Sequence, residues 1–306
     1  MSVPVLQYLP SSARDAARLA ARLGLAAHAI DVHCFPDGEL RVTIGPAAAT
    51  TIVYATLDQP NDKLLALLFA AEALRRTGAS RLVLVAPYLC YMRQDTAFHA
   101  GEAISQKVVG RLIAEAFDRV ITVDAHLHRT RNIKDVFPGI EAENLSAMPA
   151  IADFLMVDTI DAGTIIAGPD AESEPWARDL ADSLGADFAI ARKIRHGDRS
   201  VEMTFADPRI FAGRPVVLVD DIVSSGGTVL ACAKALLSAG AKSVDAIVTH
   251  ALFPPEMIAL FKAAGLRSVR STHCVPHPTN AIELDALLAD ALRREFTESG
   301  KQGPAS

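Results

Sequence analysis

Residues 216–228 read Val-Val-Leu-Val-Asp-Asp-Ile-Val-Ser-Ser-Gly-Gly-Thr. The four apolar residues at the start of this stretch are typical of a strand that is buried in a parallel sheet. Two adjacent carboxylates, Asp220 and Asp221, follow, and a run of small residues then leads into a segment whose apolar residues recur at helical spacing. The stretch therefore predicts a strand, a short loop and a helix in direct succession.

The loop of this stretch has the composition of a phosphate site. Ligands of parallel sheets bind beyond the carboxyl ends of the strands, where small residues let backbone N–H groups surround a phosphate at the positive end of a helix. The two acids repel a phosphate but suit ribose hydroxyls or a magnesium ion. We therefore expect a phosphorylated sugar whose hydroxyls lie on Asp220 and Asp221. The phosphate would lie on the loop residues Ser224, Ser225, Gly226, Gly227 and Thr228, and both glycines should resist β-branched side chains.

The strand, the acid pair, the loop and Thr228 together resemble the phosphoribosyl-pyrophosphate binding motif. Type I phosphoribosyltransferases and ribose-phosphate pyrophosphokinases share that motif, so it indicates a superfamily without selecting a member. The alternative is an ordinary strand that ends in solvated acids before a helix cap. We disfavour it because an acid pair followed by Ser-Ser-Gly-Gly-Thr is an unusual composition for a plain turn.

Composition narrows the class of protein. A chain of 306 residues, half of them apolar, is long enough for two folded domains. The formal charge of −6 argues against a nucleic-acid binder with a basic face. The chain has neither an apolar run of about 20 residues nor a secretory signal, so we expect no membrane association and a cytoplasmic location. The four cysteines are far apart and have no metal-ligand spacing, which is typical of reduced thiols.

Three further segments resemble the ribose-phosphate pyrophosphokinase family specifically. They are Phe35-Pro-Asp37-Gly-Glu39, the run from Pro87 through Arg93-Gln94-Asp95 to Lys107, and Val123-Asp124-Ala-His126. Plain phosphoribosyltransferases do not carry this set, and the resemblance extends over about residues 5–290. Strands alternate with helices nearly throughout, which predicts parallel sheets.

The resemblance implies an α/β fold of two phosphoribosyltransferase-like domains, each a mostly parallel sheet flanked by helices. Residues 1–147 would form an N-terminal domain for ATP binding and subunit contact. Residues 148–306 would form a C-terminal domain for ribose phosphate, with a frayed extreme C-terminus at residues 298–306. The two halves also look alike, because the strands before Asp124 and Asp220 both end in an acid.

The resemblance also implies roles for individual residues. ATP-binding residues would be Phe35, Asp37, Glu39, Arg93, Gln94 and Asp95, the first three on a loop that reaches the base in a neighbouring subunit. Catalytic residues would be Lys193, Arg195 and His126. Metal-binding residues would be His126 and Asp170, with Mg²⁺ as the ion. The implied partners are ATP, ribose 5-phosphate and further copies of the chain in a dimer or larger homo-oligomer.

Two departures from the family pattern stand out. Asp170 precedes Ala171-Glu172-Ser173-Glu174, where the family usually has small residues and glycine. Two extra carboxylates would repel a polyphosphate unless a cation intervenes or they point away. The stretch Thr96-Ala97-Phe98-His99 is nearly neutral where many members are charged, so no allosteric control is inferred.

The implied reaction transfers the diphosphoryl group of ATP to the anomeric hydroxyl of ribose 5-phosphate. Phosphoribosyl pyrophosphate and AMP would be the products. A type I phosphoribosyltransferase, a non-catalytic regulatory relative and a sugar-phosphate binding protein without turnover stay open as alternatives. The presence of Lys193, Arg195 and His126 argues against the regulatory relative.

Overall fold

The computed structural model describes residues 3–157, 160–196 and 200–297, and the side chains of residues 194–202 and 297 lie outside this description. The expected frayed end, residues 298–306, is outside it as well. Contacts divide the chain into two compact units. The first unit holds the chain up to Leu145 together with the part from Leu284 onward, and the second holds Ser146–Glu283.

The first unit contains eight strands and five helices in the described residues. The strands are β1 (Val5–Tyr8), β2 (Ala27–Ala29), β3 (Asp31–Cys34), β4 (Leu40–Thr43), β5 (Thr50–Tyr54), β6 (Arg81–Ala86), β7 (Arg119–Val123) and β8 (Glu141–Leu145). The α-helices are α1 (Ala13–Leu23), α2 (Pro60–Arg76), α3 (Ser105–Ala116), α8 (Asp285–Leu292) and α9 (Arg294–Thr297).

The second unit contains seven strands and four helices in its described part. The strands are β9 (Ile165–Gly168), β10 (Asp187–His196), β11 (Ser200–Phe205), β12 (Pro215–Val223), β13 (Ser243–Ala251), β14 (Leu266–Thr272) and β15 (Asn280–Ile282). The α-helices are α4 (Met148–Val157), α5 (Glu174–Leu184), α6 (Gly227–Ser238) and α7 (Met257–Ala263).

A six-stranded sheet forms the centre of the first unit. Its order is β2-β1-β5-β6-β7-β8, and every neighbouring pair is parallel. The strands β5 to β7 are almost fully buried, as expected for strands covered by helices on both faces. Strands β3 and β4 form a separate antiparallel hairpin. The carboxyl ends of the parallel strands therefore lie at one edge of the sheet.

A seven-stranded sheet of order β11-β10-β9-β12-β13-β14-β15 forms the second unit. All of its pairs are parallel except β10 with β11. The central strand β12 is paired with β9 only through Leu218 but with β13 as far as Val223. β12 therefore continues past the end of β9, and the last residues of β12 have no neighbouring β9 residue to pair with. The predicted fold class, two mostly parallel sheets flanked by helices, is confirmed.

The C-terminal helices differ from the sequence-based division of the chain. That division assigned residues 148–306 to one domain, whereas the structure groups Leu284 onward with the first unit. Glu295 is only 2% exposed and accepts hydrogen bonds from Arg81 and Arg119 of the first unit, both at 2.6 Å. Arg119 is itself fully buried. A buried carboxylate needs such cationic partners, and the pairing fixes helix α9 to the first sheet.

The hairpin of β10 and β11 extends one side of the second sheet. β10 continues to His196 and pairs with β11. Only the first part of β10 is paired with β9, so most of the hairpin lies beyond the buried sheet. None of the helices in the described parts of the chain combines the length and hydropathy that a membrane span requires.

Candidate active site

The acid pair lies where β12 passes the end of β9. Val219 and the residues before it are buried, Asp221 is 5% exposed, and Asp220 is half-buried. Although successive side chains of a strand alternate between its faces, the carboxyl groups of Asp220 and Asp221 are close enough to interact. Each stiffens the strand end locally, because Oδ1 of Asp220 accepts from the amide of Asp221 and Oδ1 of Asp221 accepts from the amide of Ile222.

The loop after β12 turns directly into helix α6. Gly226 is the N-cap of this helix and has a φ of +79°, a conformation that side chains strain. A Cβ atom there would also lie 2.7 Å from Cζ of Phe261. At Gly227 a Cβ atom would meet only Oγ of Ser225, at 3.8 Å. The space around a Cβ atom is therefore far tighter at Gly226 than at Gly227.

The strand end and the loop enclose a pocket of about 60 Å³. It is lined by Asp220, Ile222, Val223, Ser224, Ser225, Gly226, Thr228 and Val229. The first amides of α6 have no acceptor inside the helix and meet the pocket at the positive end of the helix dipole. The structure therefore brings Asp220 together with the predicted phosphate loop, and Asp221 interacts with Asp220 at the same strand end.

The surroundings of Asp220 disfavour its ionised form. Burial raises the pKa of Asp220 well above its ordinary value, and the charges of Asp221 and Asp170 raise it further. Like charges in a low-dielectric site favour the protonated form. A cation or a set of hydroxyl donors would relieve the same repulsion. This edge of the sheet is therefore prepared for a positively charged or hydrogen-donating ligand.

Asp170 lies in the loop that follows β9, the neighbour of β12. Its Oδ1 accepts hydrogen bonds from the amides of Glu172 and Ser173 at 3.0 and 3.1 Å, while Oγ of Ser173 donates to its carbonyl at 2.6 Å. Gly168 packs tightly beneath this turn, since a Cβ atom there would lie 2.4 Å from Oγ of Ser173. The loop is thus folded on itself, and Oδ2 of Asp170 has no hydrogen-bond donor among the described residues.

The two extra glutamates of this loop were expected to repel phosphate unless they point away. Glu174 is the first residue of α5 and pairs with Arg178, one turn along the helix, at 2.5 Å. That pair neutralises its charge on the helix surface. Glu172 is exposed. The charge of Glu174 is therefore offset by Arg178.

Lys193 lies on the exposed end of β10, paired in register with Met203 of β11. Its charge reaches the fully buried thiol of Cys232 on α6. Burial raises the pKa of Cys232 to about 12, Asp220 and Asp170 add to the rise, and Lys193 opposes it. The charges of Lys193, Asp170 and Asp220 therefore all act on Cys232 of α6. The backbone of Arg195 belongs to β10, but its side chain lies outside the described ones.

In the first unit, the predicted ATP residues Arg93, Gln94 and Asp95 lie beyond the carboxyl end of β6. Arg93 is exposed, and Gln94 is half-buried. Glu102 organises the loop that follows, because its Oε2 accepts from the amides of Phe98 and His99 and from Nε2 of Gln94. The neutral stretch 96–99 is therefore folded around one carboxylate. We call residues 87–104 the Arg93 loop.

His126 lies beyond the neighbouring strand β7, in residues 124–132, which we call the His126 loop. Its ring is half-buried and stacked at 6.1 Å on that of His128. The buried Gln106 of α3 connects the two loops: its amide donates to Gln94, its Nε2 donates to Met92, and its Oε1 accepts from Thr130. The structure thereby brings Arg93, Gln94 and His126 to one edge of the first sheet.

The third predicted segment forms the tip of the β3–β4 hairpin. The amide of Phe35 donates to the carbonyl of Glu39 at 2.8 Å, and the amide of Glu39 donates to Oδ1 of Asp37 at 3.2 Å. Gly38 makes the turn with a φ of +90°. Phe35 is 39% exposed. An aromatic ring and two carboxylates are thus presented together on an exposed turn.

Sequence reasoning missed Gln106, Ser173 and Arg129. A glutamine inside the apolar pattern of α3 was the available signal for Gln106. Ser173 was treated only as part of an unusual loop, although its position three residues after Asp170 is typical of a turn. Arg129 had no local signal, because its partner Asp95 lies 34 residues away.

Two family models match the chain. The N-terminal domain of ribose phosphate pyrophosphokinase matches residues 6–116, and the phosphoribosyl transferase domain matches residues 141–255. The second match contains the acid pair and the loop at Ser224–Thr228, and the first contains the hairpin and the Arg93 loop.

Similar whole chains carry the same description. The chain is 31% identical to ribose-phosphate pyrophosphokinase of Methanopyrus kandleri over 277 residues, covering 90% of this chain and 94% of the relative. It is 30% identical to the Aquifex aeolicus enzyme, covering 90% of each. The crystal structure of phosphoribosylpyrophosphate synthetase from Mycobacterium smegmatis superposes with a TM-score of 0.84 at 26% identity, covering 97% of this chain and all of that one. The protein belongs to the ribose-phosphate pyrophosphokinase family, as a transferase of nucleotide biosynthesis whose two domains have the phosphoribosyltransferase-like fold.

Proposed function

We propose that the protein transfers the diphosphoryl group of ATP to the anomeric hydroxyl of ribose 5-phosphate. The anomeric oxygen forms a bond to the β-phosphorus while the bond from that phosphorus to the α-bridging oxygen breaks. AMP leaves with that oxygen, and the hydroxyl proton is released. The observation that carries the proposal is the pocket in which Asp220 meets the small-residue loop at the start of α6.

The sugar phosphate binds along this pocket. Ribose hydroxyls donate to Asp220 and Asp221. The 5-phosphate lies on the amides and hydroxyls of Ser224 to Thr228, where the helix dipole adds positive potential. The left-handed backbone of Gly226 allows the loop to close around an anion. This arrangement keeps the carboxylates away from the phosphate.

The transferring group requires positive charge. Phosphoryl transfer depends on positioning and on neutralising the charge of the transition state more than on covalent chemistry. Lys193 is exposed on β10, and its charge acts in the same region as those of Asp170 and Asp220. With Arg195, two residues along the strand, it stabilises the negative charge that develops on the transferred group.

ATP binds at the carboxyl edge of the first sheet. Arg93 pairs with phosphate oxygens, Gln94 approaches the base, and His126 orients the phosphates. The hairpin residues Phe35, Asp37 and Glu39 hold the adenine base of a neighbouring copy, because an aromatic ring stacks on a base and carboxylates accept from its amine. This arrangement makes a homodimer the smallest active form. We place the enzyme in the cytoplasm, where its free thiols stay reduced.

The donor set of the second unit fits a magnesium ion. Asp170 keeps Oδ2 available, and its charge and that of Asp221 already disfavour the ionised form of Asp220. Carboxylate oxygens are the ligands that Mg²⁺ prefers. Asp170 and Asp220 would hold the ion together with phosphate oxygens, and the ion would supply charge neutralisation there. His126 is a weaker candidate ligand, since Mg²⁺ prefers oxygen to imidazole nitrogen.

Product analysis tests the proposal. Purified protein is incubated with Mg²⁺, ribose 5-phosphate and ATP, and nucleotides are separated by chromatography. The proposal requires AMP in an amount equal to phosphoribosyl pyrophosphate, and no AMP when the sugar phosphate is left out. ADP as the nucleotide product would contradict it.

A further inference from the structure

Asp95 and Arg129 form a pair that joins the two loops of the predicted ATP site. The side chain of Asp95 is only 1% exposed. Its two oxygens accept from the backbone amide and from Nη1 of Arg129, both at 3.0 Å. A buried carboxylate is costly unless it is paired and hydrogen-bonded. The carboxylate of Asp95 is therefore committed to holding Arg129, which leaves it poorly placed to contact a nucleotide itself.

Phe98 contacts the guanidinium of Arg129. The guanidinium carbon lies 5.1 Å from the centroid of the Phe98 ring, a cation–π arrangement. Glu102 accepts from the amide of Phe98 at 2.8 Å and so fixes the loop that carries the ring. Arg129 is therefore held by a buried acid and an aromatic face together, although its own side chain is 49% exposed.

Most of the Arg129 guanidinium stays available. Of its five N–H groups, the pair with Asp95 uses one on Nη1, and no other acceptor for this side chain occurs among the described residues. A rigid, half-exposed guanidinium matches two oxygens of a phosphate at a small entropic cost. It also shares the sheet edge with Arg93 and His126, to which the proposed function assigns the phosphates of ATP.

We infer that Arg129 is a further binding residue for the polyphosphate of ATP, and that Asp95 acts through Arg129 as a positioning residue. This inference rests on the proposed function for the location of ATP. It replaces the expectation that Asp95 itself contacts the nucleotide. Phe98 supports the guanidinium, and the base lies elsewhere.

Calorimetric titration of Mg·ATP and of adenosine, without ribose 5-phosphate, tests the inference. Arg129→Ala should weaken ATP binding about 10- to 100-fold, the range for one charge-assisted phosphate contact, and leave adenosine binding within about twofold. Asp95→Asn should weaken ATP binding in the same direction. The double variant should bind ATP no more weakly than Arg129→Ala alone, because Asp95 acts only through the arginine.

The matched control is the pair of Asp207 and Arg209 in the second unit, where a bidentate contact of the same chemistry lies on an exposed surface. Arg209→Ala should leave both affinities unchanged. Arg129→Gln serves in place of the alanine variant if that variant unfolds. ATP binding by Arg129→Ala within about twofold of the wild type would overturn the inference, as would equal losses for ATP and adenosine. Wild-type protein that binds ATP without forming AMP would refute the proposed function alone.

Discussion

Gly226 and Phe261 are in such close contact that a Cβ atom on the glycine would lie 2.7 Å from Cζ of the ring. Phe261 is fully buried on helix α7 and packs edge-to-face on Phe253, so it has no room to retreat. The backbone of Gly226 also has a φ of +79°. Both constraints act on the residue that begins α6 beside the proposed phosphate site.

Gly226→Ala is therefore expected to disturb the loop at the pocket. We predict that the KM for ribose 5-phosphate rises at least tenfold, because the strained backbone can no longer present its amides to the phosphate. Gly227→Ala is the matched control, since its Cβ atom would make only an ordinary contact with Oγ of Ser225, at 3.8 Å, and alanine suits a helix. Initial-rate kinetics of both variants check this. If the KM of Gly226→Ala for ribose 5-phosphate is as low as that of Gly227→Ala and the wild type, the loop does not hold the phosphate.

Asp220→Asn should raise the stability of the protein and lower its activity. The folded protein raises the pKa of Asp220 by burial and by the charges of Asp221 and Asp170, so the ionised carboxylate destabilises the fold. We predict a higher melting temperature for the asparagine variant at neutral pH, together with at least a tenfold loss of kcat/KM for ribose 5-phosphate. Calorimetry and kinetics on the same sample measure both.

The pH dependence of this gain in melting temperature follows from the direction in which the folded protein shifts the pKa of Asp220. A carboxyl group with a raised folded pKa contributes its stability fully below its ordinary pKa, near 3.8, and loses it as the pH rises through the raised value. The melting temperatures of the two proteins should therefore converge in acid and diverge as the pH increases. A gain that is largest in acid would contradict the proposed origin of the shift.

Lys193→Ala should reduce turnover while leaving substrate binding nearly intact. The lysine is proposed to act on charge that develops only in the transition state, so we expect kcat to fall roughly a hundredfold, about 3 kcal/mol of barrier. The neighbouring Arg192 is also exposed but points to the other face of β10, which makes Arg192→Ala the control. A Lys193→Ala enzyme with nearly full kcat would exclude the lysine from the transfer step.

Glu295→Gln should destabilise the first unit. The variant breaks ion pairs with Arg81 and with the fully buried Arg119, and removing one partner of such a pair costs about 3 kcal/mol. Glu72→Gln, in an exposed pair with Arg76, should cost less than about 0.5 kcal/mol. Chemical unfolding of the three proteins at neutral pH provides the comparison.

Acid should remove the difference between Glu295→Gln and the wild type. Burial alone would raise the pKa of Glu295, but the hydrogen bonds and charges of Arg81 and Arg119 outweigh it and lower the pKa. A lowered pKa gives stability that is present above the ordinary value, about 4.5, and is lost as the pH falls through the folded one. A difference that persists unchanged at the acid end would mean that the ion pairs contribute little.

The parallel sheets and the phosphate loop could be predicted because their signals are local. Buried strands such as β12 read as continuous apolar runs, and the turn chemistry of residues 224–228 lies within a few positions. The same holds for the hairpin tip at Phe35, where Pro-Asp-Gly is a strong turn sequence. Such elements can be predicted from neighbouring residues alone, without knowing which distant residues they contact.

What the sequence reading missed depends on partners far apart in the chain. Arg129 meets Asp95 across 34 residues, and Glu295 meets Arg119 across 176. Neither pair has a spacing that a periodic pattern could reveal. The difference between Gly226 and Gly227 was equally hidden, because it depends on Phe261 packing against only one of the two.

The most direct test of the central claim follows one phosphorus atom. The protein is incubated with ribose 5-phosphate, Mg²⁺ and ATP that carries label at the β-phosphate, and the products are separated. Diphosphoryl transfer predicts that the label appears on the sugar, at the anomeric position, while AMP is formed without label. Label that stays in ADP, or labelled ATP that remains unconsumed while the folded protein binds it, would contradict diphosphoryl transfer at this site.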